Sequence, residues 1–131
     1  MVAASNWLEN ATLNFFLRGN PGNAVVAPTN VYLALYTSAP NDDDTGVEVS
    51  GGNYARQVMT FSAPTDGVTA NNALVQFPVA TATWGTLTHI GVRDAASGGN
   101  LLYHAPMTPN HTVNAGGRME FPVGSIQVTV M

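Results

Sequence analysis

Residues 84–104 read W-G-T-L-T-H-I-G-V-R-D-A-A-S-G-G-N-L-L-Y-H, and this stretch decides the fold. Between residues 87 and 93 the side chains alternate between two faces, which is the two-residue period of a β-strand. Residues 101–104 start a second strand, and residues 94–100 between them are of types that tolerate tight turns and positive φ. The pattern therefore predicts a β-hairpin with a medium-length loop.

The same alternation of short strands and turns continues through the chain. The apolar run V-Y-L-A-L-Y-T at residues 31–37 predicts a central strand buried on both faces. Further strands are predicted at residues 54–61, 73–77, 118–121 and 125–130. Turn signals recur roughly every ten residues, as in antiparallel sandwiches. We therefore predict an all-β antiparallel β-sandwich forming one domain over residues 1–131, with strands from about 31 to 130. The inward phase of these strands gives the predicted core: Leu33, Leu35, Val58, Leu74, Phe77, Ile90, Val92, Leu102, Phe121 and Ile126.

Residues 6–17 are the one good helix candidate. Asn6 and Glu9 have the spacing of a capping box at the start of a helix. The pattern predicts a short N-terminal helix that covers one end or face of the sheet, with docking of the helix onto a partner as the alternative. The residues that share its inward face are Leu8, Ala11, Thr12, Phe15 and Phe16.

The composition is that of one folded domain with an unusually neutral surface. Hydrophobic residues make up 45% of the 131 residues, which argues against disorder. Charged residues make up only 9%, well below the usual quarter. Two interpretations follow: a chain that buries much of its surface against other proteins, or a sandwich with a neutral polar coat.

The charge balance and residue types exclude several classes of protein. All four basic residues are arginines and the net charge is −4, so a phosphate-binding face is not expected. The absence of cysteine excludes disulfides, Cys-ligated zinc and Cys nucleophiles. We expect neither a signal peptide nor a membrane span, because no basic n-region precedes an apolar segment and no apolar run approaches about 18 residues.

The loop at residues 38–52 holds the densest acidic cluster: Asp42, Asp43, Asp44 and Glu48. Calcium takes oxygen ligands from such loops. Counted from Asn41, however, position twelve of a standard calcium loop falls on Gly52, which has no carboxylate. The spacing favours a solvated acidic loop over a calcium site.

Arrangements that carry catalysis are not recognisable in the sequence. His89, His104 and His111 lack the spacing of a zinc site. There is no G-x-S-x-G nucleophile motif and no P-loop. We predict a protein that is not an enzyme and that needs no cofactor or metal.

Four stretches, residues 4–17, 31–40, 48–57 and 84–104, resemble a family of short virion structural proteins of tailed bacteriophages, usually labelled tail fibre proteins. The most specific pieces are V-S-G-G-N-Y-A-R-Q and H-I-G-V-R-D-A-A-S-G-G-N-L-L-Y-H, and A-G-G-R-M-E-F-P-V-G-S-I-Q-V-T-V also resembles the end of that family. The sequence departs from the family pattern mainly at residues 41–47 and 106–110.

The resemblance implies a virion structural protein that is assembled in the host cytoplasm. The chain has no heptads and no fibrous repeat, so we expect a capsid-decorating (cement) protein that stabilises the head. The alternative is a tail fibre or tail-tip module that binds a host surface glycan or another tail protein. The expected partners are the major capsid protein or other virion proteins, together with further copies of this chain, and neither nucleic acid nor membrane.

Two loops, residues 41–52 and 94–100, are the predicted contact surfaces. Arg prefers paired, geometrically fixed contacts with carboxylates, so the arginines are candidate anchors. The candidate partner-contact residues are Arg18, Arg56, Arg93, Arg118, Asp42, Asp43, Asp44, Glu48, Ser97 and Asn100.

Overall fold

A computed structural model describes residues 2–130 of the chain. Within them lie one α-helix, α1 (Asn6–Leu17), a 3-10 turn (Pro21–Asn23) and nine strands. The strands are β1 (Ala3–Ala4), β2 (Val31–Tyr36), β3 (Gln57–Met59), β4 (Val68–Ala70), β5 (Val75–Gln76), β6 (Gly85–Arg93), β7 (Leu101–Val113), β8 (Glu120–Phe121) and β9 (Gln127–Thr129).

The main layer is a five-stranded antiparallel sheet in the order β1-β7-β6-β2-β3. The predicted hairpin is β6–β7, at the middle of this sheet, and it is confirmed. β7 is longer than predicted and continues through Pro106 and Pro109 to Val113. β1 pairs with β7 only at Tyr103 and His104, so the later part of β7 is an edge strand among the described strands, where proline is tolerated.

Two short antiparallel ribbons, β4–β9 and β5–β8, form the second layer. One buried cluster joins the layers: Leu33, Leu87 and Val92 of the sheet pack with Phe77 and Ile126 of the second layer. Burial of this apolar surface is the main stabilising contribution to such a fold. The all-β sandwich with one short N-terminal helix is therefore confirmed.

The central strand β2 is covered on both faces, as its continuous apolar run predicted. Leu33, Ala34, Leu35 and Tyr36 are all at most 1% exposed. Leu33 and Leu35 face the ribbons, whereas Tyr36 lies on the opposite face, beneath the loop that follows β2. That loop returns to pair with the end of β2, at the bridge between Tyr36 and Glu48.

Five of the ten predicted core residues are buried, three are partly buried and two are exposed. Leu33, Leu35, Phe77, Val92 and Ile126 are buried, and Ile90, Leu102 and Phe121 are partly buried against the same cluster. Val58 and Leu74 were wrongly assigned to the core, since each is 52% exposed, whereas the adjacent Met59 and Val75 are each 3% exposed. Both errors have one cause: a shift of one residue moves a strand side chain to the other face.

Helix α1 has the predicted bounds but a different cap. Ser5, not Asn6, is the N-cap: its Oγ accepts a hydrogen bond from the Leu8 backbone N–H at 3.2 Å and donates to the Leu101 carbonyl. The predicted inward face is also mostly wrong, because Ala11 is its one buried residue. The helices of residues 2–130 include none that is long and apolar enough to cross a membrane.

Candidate functional site

The two predicted contact loops lie against each other and form one surface. We call residues 38–56 and 94–100 together the loop platform. The platform is held by two arginines from different strands or strand ends, Arg93 at the end of β6 and Arg56 just before β3. Each guanidinium group binds a carboxylate of the first loop and at least one backbone carbonyl of the second.

Arg93 makes the first brace, with a side chain only 8% exposed. Its two terminal nitrogens donate to the two carboxylate oxygens of Asp44, both at 2.8 Å. They also donate to the Tyr36 hydroxyl at 2.9 Å and to the Gly99 carbonyl at 3.0 Å. Burial alone would lower the pKa of Arg93, but the hydrogen bonds that it donates to Asp44 and Tyr36 raise it above its usual value. Arg93 is therefore a permanent cation whose ligands all belong to this chain.

Arg56 makes the second brace. Its Nε and Nη2 donate to the two oxygens of Glu48 at 2.9 and 2.8 Å, and its Nη1 donates to the carbonyls of Ala95 and Gly98 at 2.8 and 2.9 Å. Such a two-point pairing fixes the guanidinium plane as well as its charge. The hairpin loop at residues 94–100 is thus tied to the acidic loop across the sequence.

Tyr54 connects this network to the core. Its ring stacks on Phe77 at 6.0 Å between centroids and meets Trp84 edge-on at 5.5 Å. Its hydroxyl donates to Glu48 at 2.6 Å and accepts from the Leu35 N–H at 3.0 Å. Burial and the hydrogen bond to Glu48 raise the pKa of Tyr54 far above its usual range. The loop platform is therefore anchored to the sandwich and is not a free loop.

Glu48 stays ionised because of these contacts. Burial alone would raise its pKa, but the hydrogen bonds from Arg56 and Tyr54 outweigh burial and hold the pKa below its ordinary value. A partly buried carboxylate with this set of partners forms a structural ion pair, and it is not poised to accept or release a proton near neutral pH.

The acidic side chains of the platform point to separate partners. Asp42 accepts from Nε2 of His104 at 2.8 Å, and Asp43 accepts from the Thr45 hydroxyl at 2.7 Å. Asp44 and Glu48 bind the two arginines. Among residues 2–130, no group of three or more His, Asp or Glu side chains is placed to hold a metal ion.

A second surface feature lies on α1. Leu13, Phe16 and Leu17 follow i, i+3, i+4 spacing, and they are 54%, 74% and 76% exposed. We call these three residues the outer stripe. They lie opposite Ala11, the residue through which the helix packs on the rest of the protein. Leucine and phenylalanine are more often buried than exposed, so the outer stripe is an unusually apolar part of the surface.

Two apolar grooves lie next to each other, and the first of them adjoins the helix. The first, of about 480 Å³, is lined by Leu8, Thr12 and Leu13 of α1 together with Tyr103 and Val130. The second, of about 510 Å³, shares Tyr103 and Val130 with the first and continues over Phe61, Leu102 and Val128. Because Leu13 belongs to both the outer stripe and the first groove, the stripe and the grooves form one continuous apolar surface.

Comparison with known proteins identifies the family. A family model described as Podophage GP4 fiber I protein gp80 matches residues 3–129. The chain belongs to this family. No curated protein matches the chain. Membership of the gp80 family confirms the resemblance to phage virion structural proteins and makes the chain a structural component of a tailed-phage virion.

The ten candidate contact residues of this gp80-family protein divide into two groups. The first group makes its hydrogen bonds within the chain and consists of Arg56, Arg93, Asp44 and Glu48, together with Asn100, which binds Asp94. The predicted role of partner contact then falls to the more exposed members. Arg18 bonds Asn14 on the helix, Arg118 lies 3.8 Å from Glu120, and Asp42, Asp43 and Ser97 are exposed on the loop platform.

Sequence reasoning missed Tyr36, Tyr54 and the outer stripe. A signal for Tyr54 existed, because it lies two residues from Arg56 within the specific stretch V-S-G-G-N-Y-A-R-Q. A signal for the stripe also existed in the spacing of Leu13, Phe16 and Leu17. That spacing was not used, since Phe16 had been assigned to the inward face.

Proposed function

We propose that this chain is a subunit of a fibre on the virion of a short-tailed phage. The observation that carries the proposal is the match over residues 3–129 to a family described as a podophage fibre protein. The chain would enter the virion during assembly in the host cytoplasm and act by binding other virion proteins. The family match is the reason that we favour the fibre alternative over capsid decoration.

The rigid loop platform supports a role in which the chain binds another virion protein. The loop platform presents Asp42, Asp43 and Ser97 on a backbone fixed by two arginine braces. A prearranged surface loses little conformational entropy when it binds, which favours specific contact with a rigid partner. We propose that this platform contacts another virion protein, and that the chain has no catalytic activity.

Capsid decoration remains the second candidate function. The observation that favours it is the low charged fraction of 9% in a compact sandwich without a fibrous shaft. Such a domain, repeated over a symmetric shell, strengthens the shell through many modest contacts. A third candidate function is binding of a host surface glycan at the tail tip.

Location and copy number in purified virions separate these functions. We expect immunogold label at fibres of the tail region and a copy number far below that of the major capsid protein, measured by quantitative mass spectrometry with labelled peptides. Label spread over the head, with a copy number comparable to the capsid protein, favours decoration instead. Purified protein that protects host cells from infection by occupying surface glycans favours the tail-tip adhesin. Absence of the protein from washed particles rejects all three.

A further inference from the structure

We propose that the outer stripe of α1 and the two adjoining apolar grooves form an interface between copies of this chain, with the stripe of one copy seated in the groove of a neighbour. The proposal deepens the fibre assignment, on which it rests for its place in the virion. It commits to a second copy of the chain as the occupant of the grooves.

The exposed area of the stripe is the first argument. A large apolar side chain buries roughly 150–250 Å² when it is fully covered. Leu13, Phe16 and Leu17, exposed 54%, 74% and 76%, therefore offer roughly 350 Å². Specific interfaces bury about 800 Å² per partner, so the stripe alone is too small. If each copy contributes both a stripe and a groove, the contact also buries the lining of the grooves, including Tyr103 and Val130.

Complementary shape within one chain is the second argument. The stripe is a ridge of i, i+3, i+4 side chains, the form in which a helix enters an apolar groove. The groove of about 480 Å³ opens beside that ridge on the same chain, and the groove of about 510 Å³ continues from it past Tyr103 and Val130. An interface between copies needs both shapes on every molecule, because each residue of one patch must meet a residue of the other.

Charge supports a second copy over an oppositely charged partner. Glu9 is the one charged residue among the stripe and the lining of the two grooves. Two such surfaces therefore meet with little like-charge repulsion, although the chain carries a net charge of −4. A charged partner would gain no electrostatic complementarity there.

Single lysine substitutions test the interface in the full chain. Leu17→Lys places a cation in the last turn of α1, where it suits the helix dipole, so the fold is preserved. Val130→Lys places the same charge at the junction of the grooves, and Val123→Lys is the matched control, because Val123 is 63% exposed but lines neither groove. Analytical ultracentrifugation over a range of concentrations is the measurement, with circular dichroism to verify folding.

We expect the wild-type chain and Val123→Lys to form the same oligomer. We expect Leu17→Lys and Val130→Lys each to weaken association by about tenfold or more, as for central interface residues. A wild-type chain that stays monomeric at every concentration overturns the proposal. In that case, recovery of a different virion protein on the wild-type chain, and its loss with Leu17→Lys, assigns the surface to that protein.

Cross-linking gives a second, positional test, because the chain contains no cysteine. A mixture of Leu17→Cys and Val130→Cys chains should form a disulfide between the two different chains on mild oxidation. A mixture of Leu17→Cys and Val123→Cys should form little. Equal yields in both mixtures contradict the placement of stripe against groove.

The failures of this inference and of the proposed function are distinguishable. If the inference fails, the chain is still found in tail fibres but is monomeric when purified. If the fibre assignment fails, the purified chain still forms the oligomer, but the label lies elsewhere on the particle or is absent from it.

Discussion

The loop platform and the outer stripe of α1 are both surface regions, yet the platform side chains are bonded within the chain and the stripe side chains are exposed to water. In the platform, Arg56 and Arg93 spend their donors on carboxylates and carbonyls of the same chain. In the stripe, Phe16 and Leu17 remain three-quarters exposed to water. Four of the charged candidates for partner contact are therefore part of the fold, whereas apolar residues of a type usual in the core lie on the surface. Residue type alone does not identify the free surface of this protein.

Among the substitutions that test this contrast, Arg93→Ala should cause the largest loss of stability. The substitution leaves Asp44 and the Tyr36 hydroxyl without their common partner at a site where the Arg93 side chain is only 8% exposed. Removing one member of a fully buried ion pair costs about 3–5 kcal/mol, and because the Asp44 side chain is 35% exposed we expect the lower end of this range, about 3 kcal/mol. Urea unfolding should show a loss of stability of this size.

Arg118→Ala is the matched control for Arg93→Ala. Arg118 and Glu120 are 3.8 Å apart and both side chains are more than two-fifths exposed. Exposed pairs of this kind contribute about 0–1 kcal/mol. If the two alanine variants lose equal stability, Arg93 is not a structural brace.

Arg56→Lys should have an intermediate effect. Lysine keeps the charge but cannot make the two-point contact with Glu48 and also reach the carbonyls of Ala95 and Gly98. Hydrogen bonds of charged groups contribute about 1.5–3 kcal/mol, so we expect a loss of about 2 kcal/mol. Thermal and urea unfolding both measure it. Arg18→Lys, on the exposed helix, is the control and should change neither the thermal nor the urea stability. A loss as large as that of Arg56→Lys would show that the effect is not specific to the platform.

Ser5→Ala should cost about 1–2 kcal/mol, the usual contribution of a helix N-cap. Ser5 is 1% exposed and joins the start of α1 to β7 through the Leu101 carbonyl. Amide hydrogen exchange should show faster opening of the first turn of α1. Ser97→Ala, in the exposed hairpin loop, is the control, and its stability should match that of the wild type.

The pattern of periodicity and turns predicts the sandwich, the helix bounds and the central hairpin well. The errors occur where adjacent residues are both apolar. Val58 and Met59 are one such pair, and Leu74 and Val75 are another, so alternation alone could not choose the inward member. Tertiary packing made that choice.

The site was harder to predict for a related reason. The pairing of Arg93 with Asp44 joins residues 49 positions apart, and that of Arg56 with Gly98 joins residues 42 apart. Composition indicated that the few arginines would be paired, but it did not indicate whether with this chain or with another. Similarly, the helical spacing of Leu13, Phe16 and Leu17 defines a stripe without stating which side of the helix meets the sheet.

The smallest expected effect is the contribution of Glu48 to acid sensitivity. Its pKa lies below the ordinary value of 4.5 in the folded chain, because the hydrogen bonds from Arg56 and Tyr54 outweigh the effect of burial. As pH falls, the unfolded chain therefore takes up this proton first, which favours unfolding. The stability due to Glu48 is complete above about pH 4.5 and is lost as the pH falls through the folded pKa. One such group changes the free energy of unfolding by less than about 1.4 kcal/mol per pH unit.

Urea unfolding between pH 3 and pH 6 should thus give a steeper acid limb for the wild type than for Glu48→Gln. The slope is the informative quantity, because the glutamine variant also loses the ion pair and is less stable at neutral pH. An equal slope for Glu48→Gln and the wild type would contradict the assignment of this acid sensitivity to Glu48.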